Sequence, residues 1–154
     1  MKTYPLSLPK RSRFGLLVLL LAVIVLLFLP VRPIVSDVAQ TEISSVTLYD
    51  KGQPRKDVSA YLKLDDLAFH LQLFHTSIVP SVPRGQRVGE NYYVIEGNHN
   101  GRSFSITADG HSAFMFYLDQ NRGYRLKNGA VVVGMIFSSA HDDFRNELTP
   151  IPRY

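Results

Sequence analysis

Residues 14–29 read FGLLVLLLAVIVLLFL, sixteen positions without a charged or strongly polar side chain. How this stretch folds determines what the remaining chain can do. With Pro30 and Val31 added, a helix of 16–18 residues measures roughly 24–27 Å at the usual 1.5 Å rise. That is slightly under the ~30 Å of a bilayer's hydrocarbon core. Arg13 and Arg32 flank the run, and long basic side chains can make up a deficit by reaching for water. Pro30 and Pro33 supply no backbone N–H and close the helix. The expectation is a transmembrane helix over residues 14–31.

Its orientation follows from the flanking charges. Lys2, Lys10, Arg11 and Arg13 precede the run, whereas Arg32 alone follows it closely, ahead of Asp37 and Glu42. The positive-inside rule places the N-terminus in the cytoplasm. A cleaved signal peptide is the rival, but its apolar core spans about 7–15 residues and ends in an A-x-A-like site. At the nearest candidate, Ala39, Asp37 stands where a small residue is needed. The expected organisation is a cytoplasmic tail over 1–13, the membrane helix over 14–31, a juxtamembrane linker over 32–44 and an extracytoplasmic domain over 45–154.

Charge and cysteine content exclude several functions. The whole chain carries 17 basic and 13 acidic residues. From Ser36 onward there are 12 basic against 13 acidic residues, interleaved, which is no footprint for nucleic acid. There is no cysteine, so disulfides, thiol catalysis and thiolate zinc sites are excluded.

The domain reads as α+β, antiparallel strands with two short helices over one face. Val46–Tyr49 has strand composition and Asp50-Lys51-Gly52 a turn composition. Leu64, Leu67, Ala68, Leu71 and Phe74 form one apolar stripe at helical period, with Asp65 as the expected N-cap. Residues 79–91 read as a loop. Strands over 92–95 and 103–106 flank the Gly97–Gly101 turn, and strands over 113–118 and 130–133 follow. A second helix is expected from Ser138 or Ser139 to Leu148.

The segment Tyr61-Leu62-Lys63-Leu64-Asp65-Asp66-Leu67-Ala68-Phe69-His70-Leu71 resembles the strand-to-helix signature of the copper amine oxidase N-terminal-like (stalk) domain of bacterial cell-envelope proteins. Tyr61, Leu62, Leu64, Leu67, Ala68 and Leu71 match that pattern in type and spacing. Val132–Ile136 stands where a second copy of the unit would fall. Lys63 and Gly134 replace the family's proline, and Asp65 its arginine. The resemblance implies a non-catalytic module and no copper binding.

Few residues suggest chemistry. His70 and His75 are five apart, about 140° round a helix, unlike the i, i+4 spacing of paired metal ligands. His70, His111, His141 and Asp142 could assemble a metal or acid–base site only through the fold. No nucleophile elbow frames Ser138 or Ser139. Adjacent acids at Asp65-Asp66 and Asp142-Asp143 diverge by about 100° on a helix, which suits the helix dipole better than glycosidic cleavage. Aromatics are dense in neighbouring strands, and Tyr92, Tyr93, Phe116 and Tyr117 are the candidate binding residues. The expected function is a membrane-anchored, non-enzymatic extracytoplasmic module without a cofactor, binding an envelope protein or a cell-wall polymer. The rival is a small anchored hydrolase or metal-dependent enzyme using the histidines.

Overall fold

The computed structural model describes residues 10–33, 40–86, 88–127 and 129–141. The chain opens with helix α1, Lys10–Phe28, followed by strand β1, Pro30–Pro33. The transmembrane helix expected over 14–31 is overturned, because among the described residues no helix is long and apolar enough to cross a membrane. Lys10, Arg11 and Arg13 occupy the first turn of α1, leaving Phe14–Phe28 as its uncharged part. Those 15 residues rise roughly 22 Å, well under the ~30 Å required.

The sequence estimate also counted Leu29, Pro30 and Val31, which leave the helix. The Leu29 N–H donates to the Val25 carbonyl at 3.2 Å to end the last turn. Pro30–Pro33 then pairs with strand β4, His75–Ser77, and the Val79 N–H donates to the Leu27 carbonyl at 3.1 Å. The single-pass membrane location, with a cytoplasmic N-terminus and an extracytoplasmic domain, rested on that helix and falls with it.

The expected fold, a membrane helix plus a domain with two short helices, is corrected accordingly. Among the described residues the fold has three α-helices and a seven-stranded antiparallel sheet. The strands are β2 (Thr41–Asp50), β3 (Gln53–Asp57), β5 (Val82–Pro83), β6 (Asn91–His99), β7 (Arg102–Ala108), β8 (Ala113–Tyr117) and β9 (Arg122–Arg125). Their order across the sheet is β3-β2-β6-β7-β8-β9-β5.

Two hairpins turn on adjacent residues at positive φ. Lys51 (φ 51°) and Gly52 (φ 80°) join β2 to β3, and Asn100 (φ 52°) and Gly101 (φ 75°) join β6 to β7. That is the pattern of type I′ turns, whose twist matches the flanking strands.

Helix α2 (Leu64–Leu71) and helix α3 (Gly129–Ser138) lie over one face of the sheet. From α2 the buried residues are Leu67, Ala68 and Leu71, and from α3 they are Val132, Val133 and Ile136. They meet Val46, Tyr93, Ile95, Phe104, Ile106 and Met115 of the sheet in one core. Lys63 rather than Asp65 stands at the N-cap of α2, without a side-chain hydrogen bond. Asp65 and Asp66 sit instead in its first turn, where carboxylates favour the positive end of the helix dipole. Residues 130–133, expected as a strand, belong to α3. Of the helix expected over 138–148, Ser138 is the last residue of α3, and residues 142–148 lie outside the described residues.

The loop expected over 79–91 contains β5 and runs into β6. Val82 and Val88 from this stretch cover Phe114 and Phe116 on the far face of the sheet, forming a small second cluster.

Candidate binding surfaces

Side chains alternate across a strand, and the registers show which of the four candidate aromatics share a face. Tyr93 lies opposite Leu48 of β2 and Ala108 of β7, on the helix side of the sheet. It is fully buried. Its ring meets Phe137 edge-on, with centroids 6.2 Å apart, and among the described residues its hydroxyl has no hydrogen-bond partner. Burial pushes its phenol up to about 12. Tyr93 is therefore a core residue with an unsatisfied polar tip.

Tyr92 points to the opposite face, where it pairs with Tyr49. The two rings stack at 5.0 Å with 8° between their planes. Around them this face presents Thr47, Val94, Ser105 and Thr107, all half-buried, and the exposed Glu96. The Ser45 hydroxyl donates to the Glu96 carboxylate at 3.1 Å. Among the described residues no helix packs on this part of the sheet. Phe116 shares the face but is sealed beneath Val82 and Val88, with 8% of its surface exposed.

Tyr117 lies on the helix side, at the turn between β8 and β9. The Arg102 guanidinium sits 4.0 Å from its ring centroid, and Tyr124 meets it edge-on. Asp119 accepts from Arg102 through both carboxylate oxygens, at 3.0 and 2.9 Å, and holds the guanidinium pKa above its ordinary value. The candidate aromatics thus occupy three environments rather than one platform. Tyr49 completes the stack and was not identified from the sequence, because only the β2–β6 register brings it beside Tyr92.

The histidines stand on separate elements. His70 is in α2 with its Nδ1 buried and without a partner among the described residues. His111 sits in the β7–β8 turn, where its N–H donates to Asp109 at 2.7 Å. His141 follows α3 and donates its N–H to the Tyr61 carbonyl at 2.9 Å. Asp142 lies outside the described residues. Among the described residues no three His, Asp or Glu side chains are grouped so as to hold a metal ion. His99 is buried and structurally engaged: Nδ1 lies 2.8 Å from the Thr41 hydroxyl and Nε2 lies 3.1 Å from the Asn100 amide.

Most of the exposed large apolar side chains among the described residues lie on α1. From Phe14 to Phe28 its large side chains other than Leu27 are 46–72% exposed. They surround the helix on all sides, so no polar face is left to meet water. Comparison with protein-family models, with curated proteins and with solved structures found no match for this chain.

Proposed function

We propose that this chain is a non-enzymatic binding module, and that its partner is a protein offering an apolar groove between helices in which α1 is buried. The carrying observation is α1 itself. Fully burying a large aliphatic or aromatic side chain yields ~1.5–3 kcal/mol, and α1 leaves a dozen such side chains about half exposed. Covering them is worth on the order of 10 kcal/mol before the cost of association. Apolar patches of this size on a protein surface mark interaction sites.

Two further features support a binding role. The segment Tyr61–Leu71 resembles the stalk module described above, which carries no chemistry of its own. The open sheet face offers little to a sugar polymer, because Tyr49 and Tyr92 spend one ring face each on one another. A hydrolytic or metal-dependent reading requires His70, His111 and His141 in one place, and nothing observed brings them there.

The test is photo-crosslinking in cells, with a photoreactive residue at Leu16, Leu20 or Ile24 and, as a control, at Thr47 on the sheet. The expected result is one discrete protein adduct shared by the three helix positions and absent from the control. Adducts to lipid alone, or none at any helix position, would overturn the proposal.

A further inference from the structure

A groove of about 250 Å³ is lined by Leu73, Phe74 and His75, which follow α2, by Lys127, and by Val131 and Met135 of α3. Phe74 is buried, whereas Leu73 and Val131 are 59% and 44% exposed. The groove therefore has an apolar lining already held in water. Met135 is one turn along α3 from Val131, and its flexible thioether adapts readily to an occupant's shape.

The polar part of the lining is all of one kind. The Lys127 N–H donates to the His75 carbonyl at 3.1 Å, which fixes the two residues side by side. Among the described residues no acidic side chain lines the groove, and none pairs with the Lys127 ammonium. The Lys127 cation and the His75 imidazole thus belong to residues that line a mainly apolar slot.

We infer that this groove binds a small amphipathic carboxylate of the medium-chain fatty-acid type, of about eight carbons. The acyl chain lies against Leu73, Phe74, Val131 and Met135. The carboxylate meets the Lys127 ammonium and accepts a hydrogen bond from the His75 ring. Charge complementarity selects an anion over a neutral or cationic head group. The volume lies just under the ~300–1,000 Å³ usual for ligand pockets, which selects a chain no longer than that. This inference concerns a different surface from α1 and does not rest on the proposed partner.

The test is an NMR titration of the full chain with sodium octanoate below its micelle concentration, alongside octanol and octylammonium. Octanoate should perturb signals of residues 73–75, 127, 131 and 135, and bind about tenfold or more tightly than either comparison compound. Lys127→Ala should weaken it by about the same factor, and Lys127→Arg should retain it. Val131→Glu, at an exposed position, should abolish it while the rest of the spectrum stays folded. Equal binding of octylammonium, no effect of Lys127→Ala, or perturbation confined to α1 overturns the assignment. Tighter binding of a short peptide ending in a leucine carboxylate overturns the fatty-acid assignment.

Discussion

Replacing Tyr93 with Phe should make this protein more stable. The Tyr93 ring is fully buried and packed edge-on against Phe137, contacts that Phe retains. What Phe removes is a hydroxyl without a hydrogen-bond partner among the described residues. A hydroxyl desolvated without a partner costs ~1–3 kcal/mol, and the small void left by one oxygen returns a fraction of that. The expected gain is about 1–2 kcal/mol, at about 4–8 °C per kcal/mol for a domain near 100 residues. Urea unfolding, read at the midpoint with an unchanged slope, measures it.

The same substitution has a signature in alkali. Burial raises the folded-state pKa of Tyr93 to about 12 from its ordinary value of 10.0. The stability associated with this group is full below the unfolded pKa near 10 and is lost as pH rises through about 12. Tyr93→Phe should flatten the stability profile in that window and remove the last step of a tyrosinate absorbance titration. A variant less stable than the parent by more than ~0.5 kcal/mol would show that the hydroxyl is satisfied in solution, and the reasoning would fail.

Gly97 sits where β2 and β6 pair, and an added Cβ would collide with the Glu42 carbonyl and approach the Phe104 ring to 2.9 Å. Gly97→Ala should cost about 1–3 kcal/mol, read by thermal unfolding, and unchanged stability would rule out this close approach. The Ser59 hydroxyl accepts from the Val46 N–H at 2.8 Å and donates to Asp57 at 2.6 Å. Ser59→Ala strands a buried N–H and should cost about 1–3 kcal/mol. That hydroxyl, then the Ser59 N–H, lowers the Asp57 pKa below 3.8. The stability this provides is present above the unfolded carboxylate pKa and is lost as pH falls through the lower folded value. Ser59→Ala should therefore reduce the loss of stability in acid, as followed by unfolding at a series of low pH values.

Local signals were legible in the sequence wherever one physical cause dominated. The stripe from Leu64 to Phe74 announced α2 because only one of its faces meets the sheet. Lys51-Gly52 and Asn100-Gly101 announced turns because few residue types tolerate positive φ. Helix α3 was missed because Val131, Val132 and Val133 favour strands in isolation, and GAVVVGMIF is too uniformly apolar to show a period. The need to cover the sheet overrode that local preference. Strand β3 was hidden by its polar sequence, QPRKD, and α1 was over-measured because Pro30 and Val31, which lie in a strand, were counted as helix.

Site residues were less legible, since the decisive fact was register. That Tyr92 and Tyr93 point to opposite faces follows from strand alternation alone. That Tyr49 stacks on Tyr92, or that Lys127 and His75 meet beside Val131, depends on pairings between distant segments that no local pattern encodes.

The two margins of the sheet bear on how this protein can go wrong. A bare strand edge is a template for cross-β growth, and proline and charge are the usual guards against it. At one margin β3 carries Pro54, Arg55, Lys56 and Asp57. At the other, β5 is only two residues long and ends in Pro83, and beside it the bridge between Thr76 and Leu126 brings β4, paired with the proline-ended β1, alongside the end of β9. Neither margin invites another strand. Self-association of overproduced chain should therefore begin at the apolar α1 and give helical, detergent-reversible clusters, not fibrils that bind amyloid dyes.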